Sequence, residues 1–457
     1  MNLFLPSDPR PLHFVGIGGA GMSALAAIAL KRGLAVSGSD LDTTGSSDLV
    51  AQGARIFTGH DGSNVGNARA VVVSAAIPRG HVEVEAARAE GIPVIPRKEA
   101  LAGLIGGARC VAIAGTHGKT TTTAMTTEAV AAAGIAVTGL AGGRVTAWGG
   151  NARIGGDDLF VVEADEYDQA FLTLHPTIAV VNNVEADHLE CYGSLAALEG
   201  AFVTFAARAQ RVLVGNDSAG ADRVAAQLRV ARLWRFGPGA RDLSLDDIET
   251  SSSGTTATLA LPDGGTVALR LRVPGIHNLR NATAAMGVVV ALGGDPKPAL
   301  AALAAFTGVG RRFERLGEFG GVAIVDDYAH HPTELRATLA AARQAFPDRR
   351  LVALFQPHLF SRTQQHHEAM GEALAAADLA IVTDIYPARE QPIPGITGEM
   401  VVTAANASGG QAVYEPVRET LASRVAALLR PGDVLLILGA GDITKVGLEI
   451  RDLVEAS

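Results

Sequence analysis

Residues 109–123, RCVAIAGTHGKTTTT, confine this chain more than any other stretch. Val111 to Ala114 is an apolar run of strand length and Lys119 opens a helical pattern. Gly115, Thr116, His117 and Gly118 must therefore turn the chain from a buried strand into a helix N-terminus. A turn of this kind aims successive backbone N–H groups inward, and the helix end adds positive character, so polyphosphate is held mostly by main chain. Lys119 then reaches the β and γ phosphates, and Thr120, followed by Thr121 in the same first turn, places its hydroxyl on a bridging Mg2+. The usual spacing asks for glycine six positions before the lysine; Ile113 stands there, so the loop is a variant whose nearest glycine is Gly115. A strand that feeds a phosphate-binding helix belongs to an open α/β sheet.

Upstream, HFVGIGGAGMSALAAIALKRG carries Gly16-x-Gly18-x-x-Gly21 between a strand and an Ala-rich helix, and a second strand ends at Asp40. This is a dinucleotide-binding fingerprint, compatible with a nicotinamide cofactor or with another nucleotide pyrophosphate. Strands at Ala70 to Ser74 and Pro93 to Ile95 with a helix over Val82 to Glu90 complete an α/β unit, and Leu104 to Ala108 reads as a linker. After the phosphate-loop helix, GLAGGRVTAWGGNARIGG has no strong period and reads as a mobile loop. Strands at Phe160 to Val162 and Thr177 to Val181 are each followed by acids, EADEYD and NNVEADHLE. Carboxylates just past parallel strands fall on the ligand face, which suits metal binding. A hairpin over Leu259 to Leu271 precedes a helix capped by Asn278 or Asn281, and a second linker lies at Phe306 to Phe313. The last third alternates strand, polar loop and helix, with DDYAHHPTE, QPHLFSRT and GAGDI after its strands, which predicts another doubly wound sheet.

At 457 residues the chain exceeds one core and predicts about three domains. A net charge of -9 argues against a nucleic-acid partner or an anionic membrane surface. Cys110 and Cys191 provide no disulfide framework, and no apolar run is of membrane-spanning length, so a cytoplasmic protein without membrane insertion is expected.

The ordered set GIGGAGMSALA, GTHGKTTTT, EADEYD, EADHLECYG, HNLRNATAA, GRRFE, DDYAHHPTE, QPHLFSRT and PIPG resembles the Mur ligases over essentially the whole chain. The resemblance implies three α/β domains: a Rossmann-like UDP-sugar-binding domain over 1–106, a central P-loop ATPase-type domain over 107–311, and a Rossmann-like C-terminal domain over 312–457. It implies ATP-dependent amide-bond formation through an acyl phosphate. The substrates implied are UDP-N-acetylmuramate and L-alanine, the cofactors ATP and Mg2+, and the state a monomer or weak homodimer. By the same resemblance Mg2+ sits on Thr120, Glu163 and His188, with Glu163 preferred over Glu166 because it stands directly at the strand end. His277, Asn278 and Asn281 hold the adenine side, and Arg312 and Asp327 close over the nucleotide. His330 and Arg362 join Lys119 as catalytic groups facing the substrate carboxylate and the incoming amine. Gly18, Gly19, Ala20, Gly21, Met22 and Ser23 bind UDP rather than NAD, with Asp40 as a uridine contact.

Two features depart from the family pattern. Leu359 stands where relatives often carry an arginine, three positions before Arg362, so a two-arginine clamp cannot form there. No lysine lies between Lys119 and Lys297, so a carbamylated lysine is no part of the site. The rivals are a murein tripeptide ligase, which QPHLFSRT and EADHLECYG disfavour, and a nicotinamide oxidoreductase or a non-catalytic nucleotide switch, which leave the phosphate loop or the strand-end residues unexplained.

Overall fold

The computed structural model describes residues 3–455 except 75, 230, 231 and 389. Its strands form three sheets. In the first, five parallel strands run in the order Arg55–Thr58, Val36–Asp40, Leu12–Val15, Ala70–Val73, Val94–Pro96. The order reverses beside Leu12–Val15, which is where an open α/β sheet leaves a crevice for a ligand.

The second sheet has ten strands. Its middle places Arg109–Ala114 between Ile178–Val181 and Leu159–Glu163, both parallel to it, with Ala114 opposite Val181 and Ile113 opposite Glu163. Three neighbouring strands thus end at one level, and the phosphate loop, EADEYD and NNVEAD emerge side by side. The third sheet runs Glu314–Phe319, Val322–Asp327, Val434–Leu438, Leu351–Phe355, Leu379–Val382, Ala412–Tyr414, with only the first pair antiparallel. Asp327 and Phe355 both sit opposite Leu438, so DDYAHH, QPH and GAGD share one edge.

By compactness the chain forms two units. One comprises the residues up to Asp246 with Thr258–Leu269 and Arg280–Ala305; the other comprises Asp247–Ala257, Arg270–Leu279 and Phe306 onward. Among the described residues no helix is long and apolar enough to cross a membrane.

Three sequence expectations need correction. Leu104 and Ile105 are not linker but the end of a helix, Arg97–Ile105, whose Ala100, Leu104 and Ile105 are buried. The Gly-rich passage is not an open loop: Thr138–Val145 and Gly150–Arg153 pair as an antiparallel hairpin beside Leu159–Glu163. Glycine hid the alternation that would have marked these strands. Asn278 and Asn281 do not cap a helix but lie inside Ile276–Ala291, where the Asn278 amide donates back to the Pro274 carbonyl at 2.7 Å.

Arg69 is 2 % exposed and binds the N-terminal segment through backbone carbonyls: Arg10 at 2.5 Å, Leu5 at 2.7 Å, and Asp8. Replacing Arg69 by Met keeps the stem but removes these charge-assisted bonds, at an expected cost of about 3 kcal/mol. Urea unfolding of the two proteins checks this; a midpoint shift worth under about 1 kcal/mol contradicts it.

Candidate active site

The helix Lys119–Ala132 begins after Gly118, which takes a left-handed φ of 77°, and no side chain caps it. An uncapped helix N-terminus leaves backbone donors for an anion. Close approach explains the glycines: a Cβ on Gly115 would stand 2.9 Å from Asn182 Cβ, and one on Gly118 2.7 Å from Asn281 Oδ1. Asn281 therefore lies against the loop, where it also accepts from the Thr122 hydroxyl at 3.0 Å.

Asn182 and Asn183 were missed as site residues, although the pair directly follows an apolar strand. Asn182 donates to Thr122 Oγ1 and to the His117 carbonyl, while Asn183 Oδ1 accepts from the His117 N–H at 2.7 Å and the Asn183 carbonyl from the Thr116 N–H at 3.1 Å. Two of the N–H groups assigned to phosphate thus hold the shape of the loop instead.

Lys119 Nζ donates to the Gly115 carbonyl at 2.8 Å and to Glu166 Oε1 at 2.8 Å. Burial works against the ammonium, but the carboxylates of Glu166, Asp165 and Glu163 outweigh it and raise the Lys119 pKa, so the lysine stays charged. Glu166 is 2 % exposed and is no bystander in the acidic cluster: it is the counter-ion of Lys119. Glu163 stands apart from that pair. One of its oxygens accepts from the Thr120 hydroxyl at 3.2 Å, the other from the Gly142 N–H at 2.5 Å. A hydroxyl and a carboxylate side by side are the hard oxygen donors that Mg2+ takes alongside phosphate. His188 has a left-handed φ of 53° and a buried Nδ1 with no hydrogen-bond partner, 3.5 Å from Glu190 Oε1.

A cavity of about 230 Å³ links this acidic strand end to the glycine fingerprint, lined by Gly21, Arg97, Lys98, Gly142, Glu163 and Asp165 among others. Arg97 and Lys98, also missed from the sequence, supply its positive charge: Lys98 pairs with Asp168 at 2.8 Å and Arg97 approaches Asp165 at 3.9 Å. The helix Ala20–Lys31 starts within the fingerprint, so Gly18 and Gly19 precede it while Ala20, Gly21, Met22 and Ser23 form its first turn. Asp40 Oδ2 accepts from the Gly18 N–H at 2.9 Å, which fixes the glycine turn.

In the second unit, Asp327 is buried with both oxygens occupied, by the N–H of Phe313 at 2.7 Å and of Ala329 at 2.8 Å. Burial pushes its carboxyl up to about 6 against the pull of Arg312. Arg312 lies over the Tyr328 ring at 5.1 Å and pairs with Glu334 at 3.4 Å. His330 Nδ1 is 2.9 Å from the Tyr328 carbonyl, an acceptor only, so the proton sits on Nδ1. His358 joins His330 to Arg362: its ring is 5.8 Å from that of His330, and its Nδ1 accepts from Arg362 at 3.3 Å. Leu359, next to it, takes a φ of 70°, a strained conformation for a leucine. His277 occupies the first turn of Ile276–Ala291.

Family models match in chain order: the Mur ligase family catalytic domain over residues 11–109, the Mur ligase middle domain over 113–289, and the Mur ligase glutamate ligase domain over 311–441. The UDP-N-acetylmuramate--L-alanine ligase of Paenarthrobacter aurescens is 46% identical over 448 residues, 95% of each chain. That of Cutibacterium acnes is 44% identical over all of this chain and 98% of its own. Among solved structures, the UDP-N-acetylmuramate-alanine ligase of Thermotoga maritima superposes with a TM-score of 0.83 at 28% identity, covering 98% of this chain and 99% of its own. A murein peptide ligase of Psychrobacter arcticus gives 0.73 at 25% identity over 98% and 99%.

Proposed function

Because this chain belongs to the Mur ligase family, we infer that it joins L-alanine to the lactyl carboxylate of UDP-N-acetylmuramate at the expense of ATP. The products are UDP-N-acetylmuramoyl-L-alanine, ADP and phosphate, in the synthesis of peptidoglycan precursors. The observation that carries this reading is full-length similarity, at 42–46% identity, to relatives named for that reaction. The tripeptide ligase reading is the weaker one on the same ground, and the oxidoreductase reading leaves Lys119 and its loop without work.

Chemistry assigns the steps. The substrate carboxylate attacks the γ phosphorus of ATP and ADP leaves. The amine of alanine then adds to the acyl phosphate, and the tetrahedral adduct expels phosphate as the amine loses its proton. Such phosphoryl transfer needs positioning and charge neutralisation more than covalent help. Lys119, freed from Glu166 when phosphate offers a better partner, supplies one positive charge, and the N-terminus of its helix cradles the phosphates. Gly18 to Ser23 take the UDP pyrophosphate, and Arg97 and Lys98 attract the anionic sugar nucleotide into the cavity they line.

Thr120 and Glu163 are suited to hold Mg2+, with His188 as the third group. A bound Mg2+ would neutralise charge that develops on the transferred phosphoryl group. His277, Asn278, Asn281, Arg312 and Asp327 are assigned to the nucleotide. Arg362, a lone guanidinium where Leu359 denies a second, pairs with a carboxylate, and His330 is assigned to the incoming alanine.

Phosphate release with ATP, UDP-N-acetylmuramate and single amino acids tests the function. L-alanine is expected to give the highest kcat/KM. Glycine should trail by about 10- to 200-fold, since one missing methyl is worth only about 1–3 kcal/mol in a pocket. Turnover with a preformed tripeptide but not with alanine would overturn the assignment.

A further inference from the structure

The N-terminal sheet carries a second cluster of metal-binding groups, away from the phosphate loop. His60 follows the strand Arg55–Thr58, His81 caps the helix Val82–Ala89, and Glu83 lies in the first turn of that helix with its side chain buried. Each brings one ligand atom to within 4.8 Å of the others. The His60 and His81 rings meet edge to face at 4.6 Å, and His60 Nδ1 stands 3.7 Å from Glu83 Oε2. Bonds of about 2.0–2.2 Å at tetrahedral angles place neighbouring ligand atoms about 3.3–3.6 Å apart, a spacing His60 Nδ1 and Glu83 Oε2 nearly have already and the remaining pairs reach by side-chain rotation.

A separate observation points to the same spot. His13 is fully buried, its Nδ1 is engaged by Ser37 Oγ at 3.0 Å, and its Nε2 has no hydrogen-bond partner although it lies 3.5 Å from Glu83 Oε2. Ser39 Oγ donates to Glu83 Oε2 at 2.6 Å and stands 3.0 Å from His60 Nδ1, so it links the carboxylate to the His60 ring. Three imidazoles and a buried carboxylate thus converge on one spot, which gathers the nitrogen and oxygen donor types that a transition-metal cation takes.

We propose that His60, His81 and Glu83 form a Zn2+ site in the N-terminal domain, distinct from the Mg2+ of phosphoryl transfer. Two imidazoles and a carboxylate, with solvent as fourth ligand, are a donor set zinc takes readily and Mg2+ does not. Ser39 and Asn64, which donate to Glu83 Oε2 and Oε1, orient the carboxylate as outer-sphere partners. The ion ties the end of one strand to the start of a helix two connections later. Ser39 itself precedes Asp40, which holds the Gly18 turn, so the tie also braces the nucleotide-binding loop.

Chelator-stripped full-length protein, titrated with Co2+ as a visible substitute and then with Zn2+ alone, tests the site. The expected result is one equivalent with the strong absorption of a four-coordinate ion, displaced by Zn2+, together with a rise in melting temperature. His81→Ala and His60→Ala, both at half-buried positions, should each weaken this binding by about 100-fold or more, while Glu163→Gln leaves it intact. Absence of stoichiometric binding, or binding in both histidine variants as tight as in the unsubstituted protein, overturns the proposal.

Discussion

Lys119→Ala is expected to lower kcat/KM for ligation by about 10²–10³-fold or more, since it removes a preorganised charge from the transferring phosphoryl group. Affinity for UDP-N-acetylmuramate should stay within about twofold, because the glycine fingerprint and the phosphate loop belong to different sheets. The substitution also strands Glu166, whose carboxylate is 2 % exposed and paired with the lysine at 2.8 Å. Removing one partner of a buried pair costs about 3–5 kcal/mol, so a lower melting temperature is expected as well. The double variant Lys119→Ala, Glu166→Gln separates the two effects: it should recover much of the stability and none of the activity. Calorimetry with the nucleotide sugar, melting curves and steady-state rates on the three proteins decide the matter. Recovered ligation in the double variant would contradict the role given to Lys119.

Glu163→Gln carries the second large effect. The carboxylate proposed to hold Mg2+, which accepts from the Thr120 hydroxyl, is replaced by a neutral amide, so kcat should fall by about 10²-fold and the Mg2+ concentration for half-maximal rate should rise. Glu166→Gln should also reduce the rate, but through Lys119, and should leave the Mg2+ requirement unchanged. The sequence alone ranks Glu166 as an unimportant neighbour; its burial against Lys119 changes that expectation. Equal Mg2+ curves for wild-type protein and Glu163→Gln would remove Glu163 from the metal site.

Much of the architecture was legible because parallel strands announce themselves as short apolar runs. The strands expected before QPHLFSRT and GAGDI are observed at Leu351–Phe355 and Val434–Leu438, and each is wholly buried. The turn from strand to helix before Lys119 was legible for a related reason, since Gly115 and Gly118 take φ values of 137° and 77° that few other residues accept. What failed was structure whose cause is tertiary. The hairpin at Thr138–Val145 is too rich in glycine to show alternation, and the helix Arg97–Ile105 buries only Ala100, Leu104 and Ile105. Arg97, Lys98 and His358 face neighbours distant in sequence and no local pattern marks them, whereas Asn182 and Asn183 directly follow an apolar strand, a signal that could have found them. Asp40 shows the converse: the fingerprint acid is where the motif puts it, but its carboxylate binds the glycine turn.

The acyl phosphate is the core of the account, and oxygen isotope transfer tests it most directly. UDP-N-acetylmuramate labelled with oxygen-18 in the lactyl carboxylate is turned over with unlabelled ATP, Mg2+ and L-alanine, and the released phosphate is examined by mass spectrometry. If the carboxylate attacks the γ phosphorus and the amine later expels phosphate, each phosphate formed carries one carboxylate oxygen, labelled in proportion to the substrate. Unlabelled phosphate accompanying labelled amide product would show that ATP is cleaved by another nucleophile, and would contradict the mechanism assigned to this site.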